Sequence, residues 1–326
     1  MVRFLIVRGT VGYDVTQCFE SITWSGRKGA APRCIKATLL DEERAKQKRV
    51  LVDCGEGDQC VLYDGKQELF RGIIESHTQG NHKKMTITAY DNLYYLANNR
   101  DSFCYSNQTA TQIFQDCMAR TGMTAGEVVD TAHVIPELPK AKTTYYDVLL
   151  DALSTTYKAT GCRYYISSEC GKVHLRKRAE HAMQWVLEVG ANITDYEYTK
   201  SIAGIKTRVR LLSKEDAVVY EEANTALEEK IGMFMDVQSV DDTYNEAQMK
   251  ELVQSIFEEK GKPARTLKVS GIGITDAVSG GCVYVAIPHL GIKRTFYIDE
   301  DTHTFSRKSH KMTLKLNFAD DIGKAG

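Results

Sequence analysis

The chain of 326 residues has no apolar run near the roughly 18 residues that a membrane-spanning helix needs. Its opening run, Phe4-Leu-Ile-Val7, breaks at Arg8; that is too short for a signal-peptide core and reads as a first strand, so folding in the cytoplasm is expected. Only five prolines and no low-complexity tract occur, which argues against long disordered linkers. No Cys-x-x-Cys pair exists. The nine cysteines stand singly, and an odd, unpaired set speaks against a secreted disulfide framework and for buried reduced thiols. Neither sign of charge prevails: 42 basic against 43 acidic residues give −1, so neither nucleic acid nor an anionic membrane is an expected partner. Nucleophile-elbow, zinc-protease, P-loop and dinucleotide-binding signatures are all missing.

What is present is mostly β-structure. Phe19–Trp24, Arg33–Leu40, Val50–Cys54 and Gln59–Tyr63 are short runs rich in β-branched and aromatic residues. Tyr63-Asp-Gly-Lys66 suggests a tight type I′ hairpin, followed by a long strand Glu68–Ser76 and the alternating segment Lys84–Tyr90. This is a barrel or sandwich pattern. A short helix over Asp91–Arg100 closes the region, and the composition then changes. Thr109–Thr121 places Ile113, Phe114, Cys117 and Met118 on one helical face before Gly122, and a second helix starts at Thr144-Tyr-Tyr-Asp147 and ends at Gly161. A hairpin turning at Cys170-Gly171 completes a small α+β region. Strands return at Ile193–Tyr198 and Ile205–Leu212. One helix, opened by a capping box at Thr243-Tyr-Asn-Glu246, interrupts them with an apolar face of Leu252, Val253, Ile256 and Phe257. The division expected is 1–100, a first β-barrel; 101–185, a small α+β domain; and 186–326, a second barrel with a helix inserted at about 244–260.

Few residues suggest chemistry. Cys54-Gly-Glu-Gly-Asp-Gln-Cys60 could hold a metal, but zinc sites show tighter pairs and a second pair elsewhere, so a glycine-rich hairpin is the better reading. His303 and His310 sit in or beside a polar loop and read as solvated. The run Lys172–Arg178, with Tyr164 and Tyr165 nearby, could suit single-stranded nucleic acid, yet a solvated strand face fits a neutral chain better. Adjacent carboxylates such as Glu221-Glu222 point apart and offer no glycosidase pair. No catalytic residue, metal or cofactor is expected. Two stretches echo each other: Phe70 to Thr88 and Phe296 to Lys315 each carry an aromatic-aliphatic strand, a His-Thr step (His77, His303), a His-Lys (His82, His310) and a Met-Thr (Met85, Met312). The echo suggests one barrel used twice.

Leu69-Phe-Arg-Gly-Ile-Ile74, Met85-Thr-Ile-Thr-Ala-Tyr-Asp-Asn-Leu-Tyr-Tyr-Leu96, Asn107-Gln-Thr-Ala-Thr-Gln-Ile-Phe114 and the closing His303-Thr-Phe-Ser…His310-Lys-Met-Thr-Leu resemble, in the same order, segments of the XkdQ-type hub proteins of contractile phage tails and defective prophages. The resemblance implies two tail-tube-like β-barrels per chain and a non-enzymatic baseplate hub. Three chains would form a ring, sixfold in shape, between a hexameric tail tube or tube-initiator protein and a trimeric spike. It also implies other baseplate subunits as partners, and assembly in the bacterial cytoplasm before incorporation into a phage, prophage or R-type bacteriocin particle. The alternatives are a cell-wall hydrolase component and an oligosaccharide- or nucleic-acid-binding barrel. Within the ring, the basic loop of Arg44, Lys46, Lys48 and Arg49 is the expected subunit contact. Charge reversal there should reduce assembly, read by light scattering, and leave the melting temperature unchanged; the opposite pattern would remove the loop from the interface.

Overall fold

A computed structural model describes residues 2–40, 54–79, 84–178, 182–241 and 243–318. The strands of the first part are β1 (Val2–Arg8), β2 (Val11–Asp14), β3 (Phe19–Arg27), β4 (Ala30–Leu40), β5 (Gln59–Asp64), β6 (Gln67–Gln79) and β7 (Lys84–Asp91). They are antiparallel, in the order β3-β4-β7-β6-β5-β1-β2. Alternation drives this: Ile22 and Trp24 in β3, Ile35, Ala37 and Leu39 in β4, and Met85, Ile87 and Ala89 in β7 turn to one buried face and join Phe4, Ile6, Leu62 and Phe70 in a core. The turn between β5 and β6 differs from expectation by one residue. Asp64 pairs with Gln67, so Gly65 and Lys66 are the loop, and positive φ falls on Gly65. Glycine at the first central position is the requirement of a II′ rather than a I′ turn.

Next come α1 (Leu93–Asn98), β8 (Arg100–Thr109), α2 (Ala110–Thr121), β9 (Ala125–Val128), β10 (Val134–Thr144), α3 (Tyr145–Thr160), β11 (Tyr164–Glu169) and β12 (Lys172–Lys177). The expected cap at Thr144 and the stops at Gly122 and Gly161 are in place, both glycines in the left-handed region, and Thr109 caps α2 as well; each threonine accepts its helix's N3 amide. Ile113, Phe114, Val148, Leu149, Val173 and Leu175 fill a separate core. The ribbon of β8 with β10 escaped the sequence reading because its outward residues are polar and its alternation is broken by a register shift between Lys140 and Thr143.

The remaining elements are β13 (Ala182–Glu188), β14 (Ile193–Ser201), β15 (Arg208–Leu212), β16 (Val218–Ala223), α4 (Thr225–Ile231), β17 (Met235–Ser239), α5 (Glu246–Lys260), β18 (Ala264–Ile272), β19 (Cys282–Ile287), β20 (Ile292–Ser306) and β21 (His310–Asn317). The chain forms two compact units, Glu197–Leu267 and the rest. In the smaller unit, the sheet β16-β15-β17 packs Val209 and Leu211 against Val253 and Ile256 of α5. The expected helix is there, but it brings a sheet with it. Its reciprocal cap is Asn245 with Gln248 rather than Thr243 with Glu246: the amide oxygen of Asn245 accepts the N3 amide three residues on, and the Gln248 side chain accepts the Asn245 amide.

The strands β14-β18-β21-β20-β19-β13 continue the main sheet. This order repeats the first part strand for strand: β3-β4-β7-β6-β5-β1 becomes β14-β18-β21-β20-β19-β13, each in the same chain order. One orientation differs, since β13 runs parallel to β19 where β1 runs antiparallel to β5. Corresponding bulges mark the repeat, at Glu75 in β6 and Asp299 in β20. Superimposing the bulges pairs Met85 with Met312 but His77 with Asp301, so the sequence echo is right about the hairpin and two residues out at the histidines. The fold is mainly β with an α+β region, as expected. Gly72, in β6, is fixed by backbone approach and not by φ: a Cβ there would lie 2.1 Å from the Tyr90 carbonyl oxygen. Gly72→Ala should lower stability by about 2 kcal/mol or more, measured as a lower denaturation midpoint at unchanged slope.

Candidate functional site

The two halves meet where β20 leaves one and joins the other. Its first residues pair with β19, and from Glu300 to Ser306 it pairs antiparallel with β3, Glu300 opposite Arg27 and Ser306 opposite Ser21. The bulge at Asp299 makes this possible. Before it Phe296 and Ile298 are buried; after it Asp301, His303 and Phe305 are. One extra residue reverses the parity of alternation, and the buried face changes halves. Phe305 thereby enters the core of the first half.

Asp301 and His303 are only 1% and 0% exposed, so both need partners within the protein. Arg33 of β4 supplies one: its guanidinium donates to both carboxylate oxygens of Asp301 at 2.8 and 2.5 Å, and the Ser279 amide adds a third bond at 2.6 Å. The same guanidinium lies 4.3 Å from the centre of the Trp24 ring. Burial opposes the charged carboxylate, but the charge and hydrogen bonds of Arg33 outweigh it and hold Asp301 below the ordinary range. Arg33 also offers its main-chain amide to Asp91 at 3.3 Å. Asp91 lacks a guanidinium fork, and burial pushes its carboxyl up to about 7, against the amide bonds from Leu93 and Arg33.

His303 and His310 form a pair across the hairpin. In neutral rings, His303 donates from Nε2 to the Ala277 carbonyl at 3.0 Å and accepts at Nδ1 from His310 Nε2, also at 3.0 Å; this tautomer assignment follows from the network. Burial pulls the His303 pKa down to about 4, against the raising influence of Asp301 3.5 Å away. His310 stacks on Phe305 at 4.1 Å and is lowered by burial too. The expectation of solvated loop histidines is therefore wrong: both lie in strands, on either side of the turn 307–309. The missed signal was the alternation Asp301-Thr-His303-Thr-Phe305, with a partner, Arg33, 268 residues away. An enclosed cluster of this kind joins strands.

The other candidates are brought together differently. Cys54 and Cys60 are both buried; Cys60 is held protonated by burial, and Cys54 lies 3.9 Å from the Met85 sulfur. Between them Asp58 accepts the Gly55 amide and a fork from Arg8, making the glycine-rich segment a turn into β5. Among the described residues no three His, Cys, Asp or Glu side chains are grouped to hold a metal ion, and no helix is long and apolar enough to cross a membrane. The run Lys172–Arg178 is not a solvated face. Arg176 pairs with Glu127 and Glu169, and Arg178 is buried 3.9 Å over the Tyr297 ring, bonded to the Gly280 carbonyl. Val173 and Leu175 alternate inward and turn these arginines onto neighbouring strands and loops. Glu221 is taken by Arg208 and Arg210, Glu222 by Tyr220 and Gln254. A groove of about 580 Å³ lined by Asn92, Tyr95, Arg100, Arg120 and Tyr145 is open, and Arg120 is occupied by Asp101 and Asp116. Arg44, Lys46, Lys48 and Arg49 lie outside the described residues.

A histidine folded neutral, with its pKa lowered from 6.5 to about 4, leaves the unfolded chain binding more protons between those values. Stability is whole above pH 6.5 and falls as pH drops toward 4. His303→Gln, which keeps a donor and does not titrate, should lose its disadvantage to the natural protein over that interval, by about 3 kcal/mol. Urea titrations at pH 4, 5.5 and 7 would measure it, and a pH-independent difference would refute the assignment of a neutral buried His303.

The chain matches the model of the YQBQ-like family over residues 22–317. It is 33% identical over 320 residues to the phage-like element PBSX protein XkdQ of Bacillus subtilis (strain 168), covering 97% of each chain. Among solved structures, the fold is similar to the 43 kDa tail protein of prophage MuSo2 from Shewanella oneidensis, with a TM-score of 0.69 at 13% identity, covering 96% of this chain and 98% of that one. It is also similar to the E. coli c3393 protein, described as a type VI secretion component with structural similarity to T4 bacteriophage tail proteins gp27 and gp5. There the TM-score is 0.54 at 10% identity, over 93% of this chain and 74% of that one. The repeated six-stranded halves are thus tail-tube-like barrels, and the chain belongs to the YqbQ-like family, a structural component of a phage-type tail.

Proposed function

We propose that this chain is the baseplate hub subunit, three copies of which form a ring of six barrels between a hexameric tail tube and a trimeric central spike. The observation that carries the reading is the strand order found twice in one chain. A subunit holding two equivalent barrels satisfies sixfold shape with threefold sequence, which a junction between a hexamer and a trimer requires. The fold likeness to a secretion component described as similar to tail proteins supports it. The subunit acts by assembly and not by catalysis: the buried Arg33–Asp301–His303 cluster holds strands and is closed to substrate. The chain divides into a first barrel over 1–100, an α+β domain over 101–185 and a second barrel over 186–326 interrupted by its insertion. The partners are further copies of the chain, the spike, the tube or its initiator and other baseplate subunits, met in the bacterial cytoplasm before the particle is complete. The basic loop with Arg44, Lys46, Lys48 and Arg49 belongs to the subunit contact.

Absolute mass by light scattering, for the chain alone and co-expressed with its spike protein, tests the reading. The expected result is three chains, or three of each, with a central ring in negative stain. A single chain in both preparations would refute the hub.

A further inference from the structure

We infer that the groove between α1, the C-terminal end of α2 and the turn at Gly171 is a binding site for a short neutral oligosaccharide. The site lies in the α+β region and stands independently of the hub reading. Its volume of about 580 Å³ falls within the roughly 300–1,000 Å³ of small-ligand sites. Its aromatic surface is built locally. Leu93 and Leu96 turn one side of α1 into the core, so Tyr95 between them faces out and is 40% exposed. The ring is nonetheless held in place: Tyr94 lies edge-on to it at 6.2 Å, and Tyr90 stacks on Tyr94 at 5.1 Å. Tyr145 stands at the wall, its hydroxyl donating to Asp101 at 3.2 Å and its ring edge-on to Phe103 at 5.0 Å. A fixed tyrosine offers an apolar ring face and a polar tip at little cost in side-chain entropy. A sugar ring, with C–H faces and hydroxyl edges, complements both.

The polar groups of the groove select for a ligand without charge. Asn92 donates from Nδ2 to the Gly171 carbonyl and Asn99 from Nδ2 to the Tyr95 carbonyl, both at 2.8 Å. Each amide is thereby fixed through its nitrogen and keeps its Oδ1 as an acceptor. Arg100 and Thr124 line the same groove, and among the described residues neither side chain has a hydrogen bond or ion pair, so a guanidinium and a hydroxyl remain to donate. A sugar hydroxyl both donates and accepts, and here it meets acceptors and donors together. The charges at the wall cancel: Arg120 is shared between Asp101 at 3.2 Å and Asp116 at 2.8 Å, and Arg100 supplies the second positive charge. The end of α2 at Gly122 adds the partial negative charge of a helix C-terminus. Nucleic acid and other polyanions need an excess of positive charge, which this groove does not offer.

Ligand-observed NMR on the full chain, with cellotriose, maltotriose and tri-N-acetylchitotriose as probes, tests the site, and calorimetry then gives Kd. At least one trisaccharide should bind with a Kd below about 1 mM. Raising salt from about 50 to about 500 mM should change that Kd by less than about twofold, since no charge is screened. Tyr95→Ala and Arg100→Gln, both at exposed positions, should each weaken binding by about fivefold or more. The melting temperature is measured alongside; should Tyr95→Ala lower it, Arg100→Gln carries the comparison. No binding of any of the three sugars at about 10 mM would overturn the site, as would binding that both variants leave unchanged. Tighter, salt-dependent binding of a sulfated oligosaccharide or an oligonucleotide, lost in Arg100→Gln, would overturn it too, by showing that the groove takes an anion.

Discussion

One strand belongs to both halves of this molecule, and everything else is arranged around that. β20 is able to cross from one barrel to the other because a single bulged residue, Asp299, reverses which of its side chains are buried. Past that point its inward positions are Asp301, His303 and Phe305, two of them polar. Leaving a carboxylate and an imidazole dry and unpaired would cost several kcal/mol each. Arg33, from the neighbouring barrel, meets the carboxylate with a two-pronged fork, and His310 and the Ala277 carbonyl complete the imidazole. A buried ion pair of this kind is seldom a large net source of stability, but it penalises every register in which the fork misses its acid. Here the register it enforces is the one that aligns two barrels.

The duplication then explains where the non-repeated parts sit in the chain. In the first half β3 and β4 are joined by the two-residue turn Lys28-Gly29, whereas the matching strands β14 and β18 are separated by a whole compact unit. The α+β region is inserted between the end of one half and the start of the other. Each insertion has its own apolar core.

The cluster at the seam also shows how one arginine sets two carboxylates apart. Asp301, facing the guanidinium, stays ionised in a dry site, and Asp91, offered only amides, is pushed toward protonation. Both acids are equally buried, and Asp301 has the hydrogen-bonded guanidinium fork that Asp91 lacks.

The sequence by itself determined much of the local structure. Helices α2 and α3 with their caps, the Cys170-Gly171 turn, the alternating strands around Ile35, Met85 and Met312, and the family phrases were legible because each depends on neighbours within a few residues. It also determined that the chain is β-rich with an α+β region. Only the tertiary structure decided that His303 is buried, because its burial depends on a bulge that no residue type announces and on Arg33 far away in the chain. The sheet accompanying α5 was equally out of reach: β16 and β17 are short, polar strands that owe their pairing to β15 and not to their own pattern. The strand order shared by the two halves was decided there as well, since long-range pairing leaves a trace in sequence only where side chains alternate, and the histidine echo, two residues out of register, was as much of it as the sequence could carry.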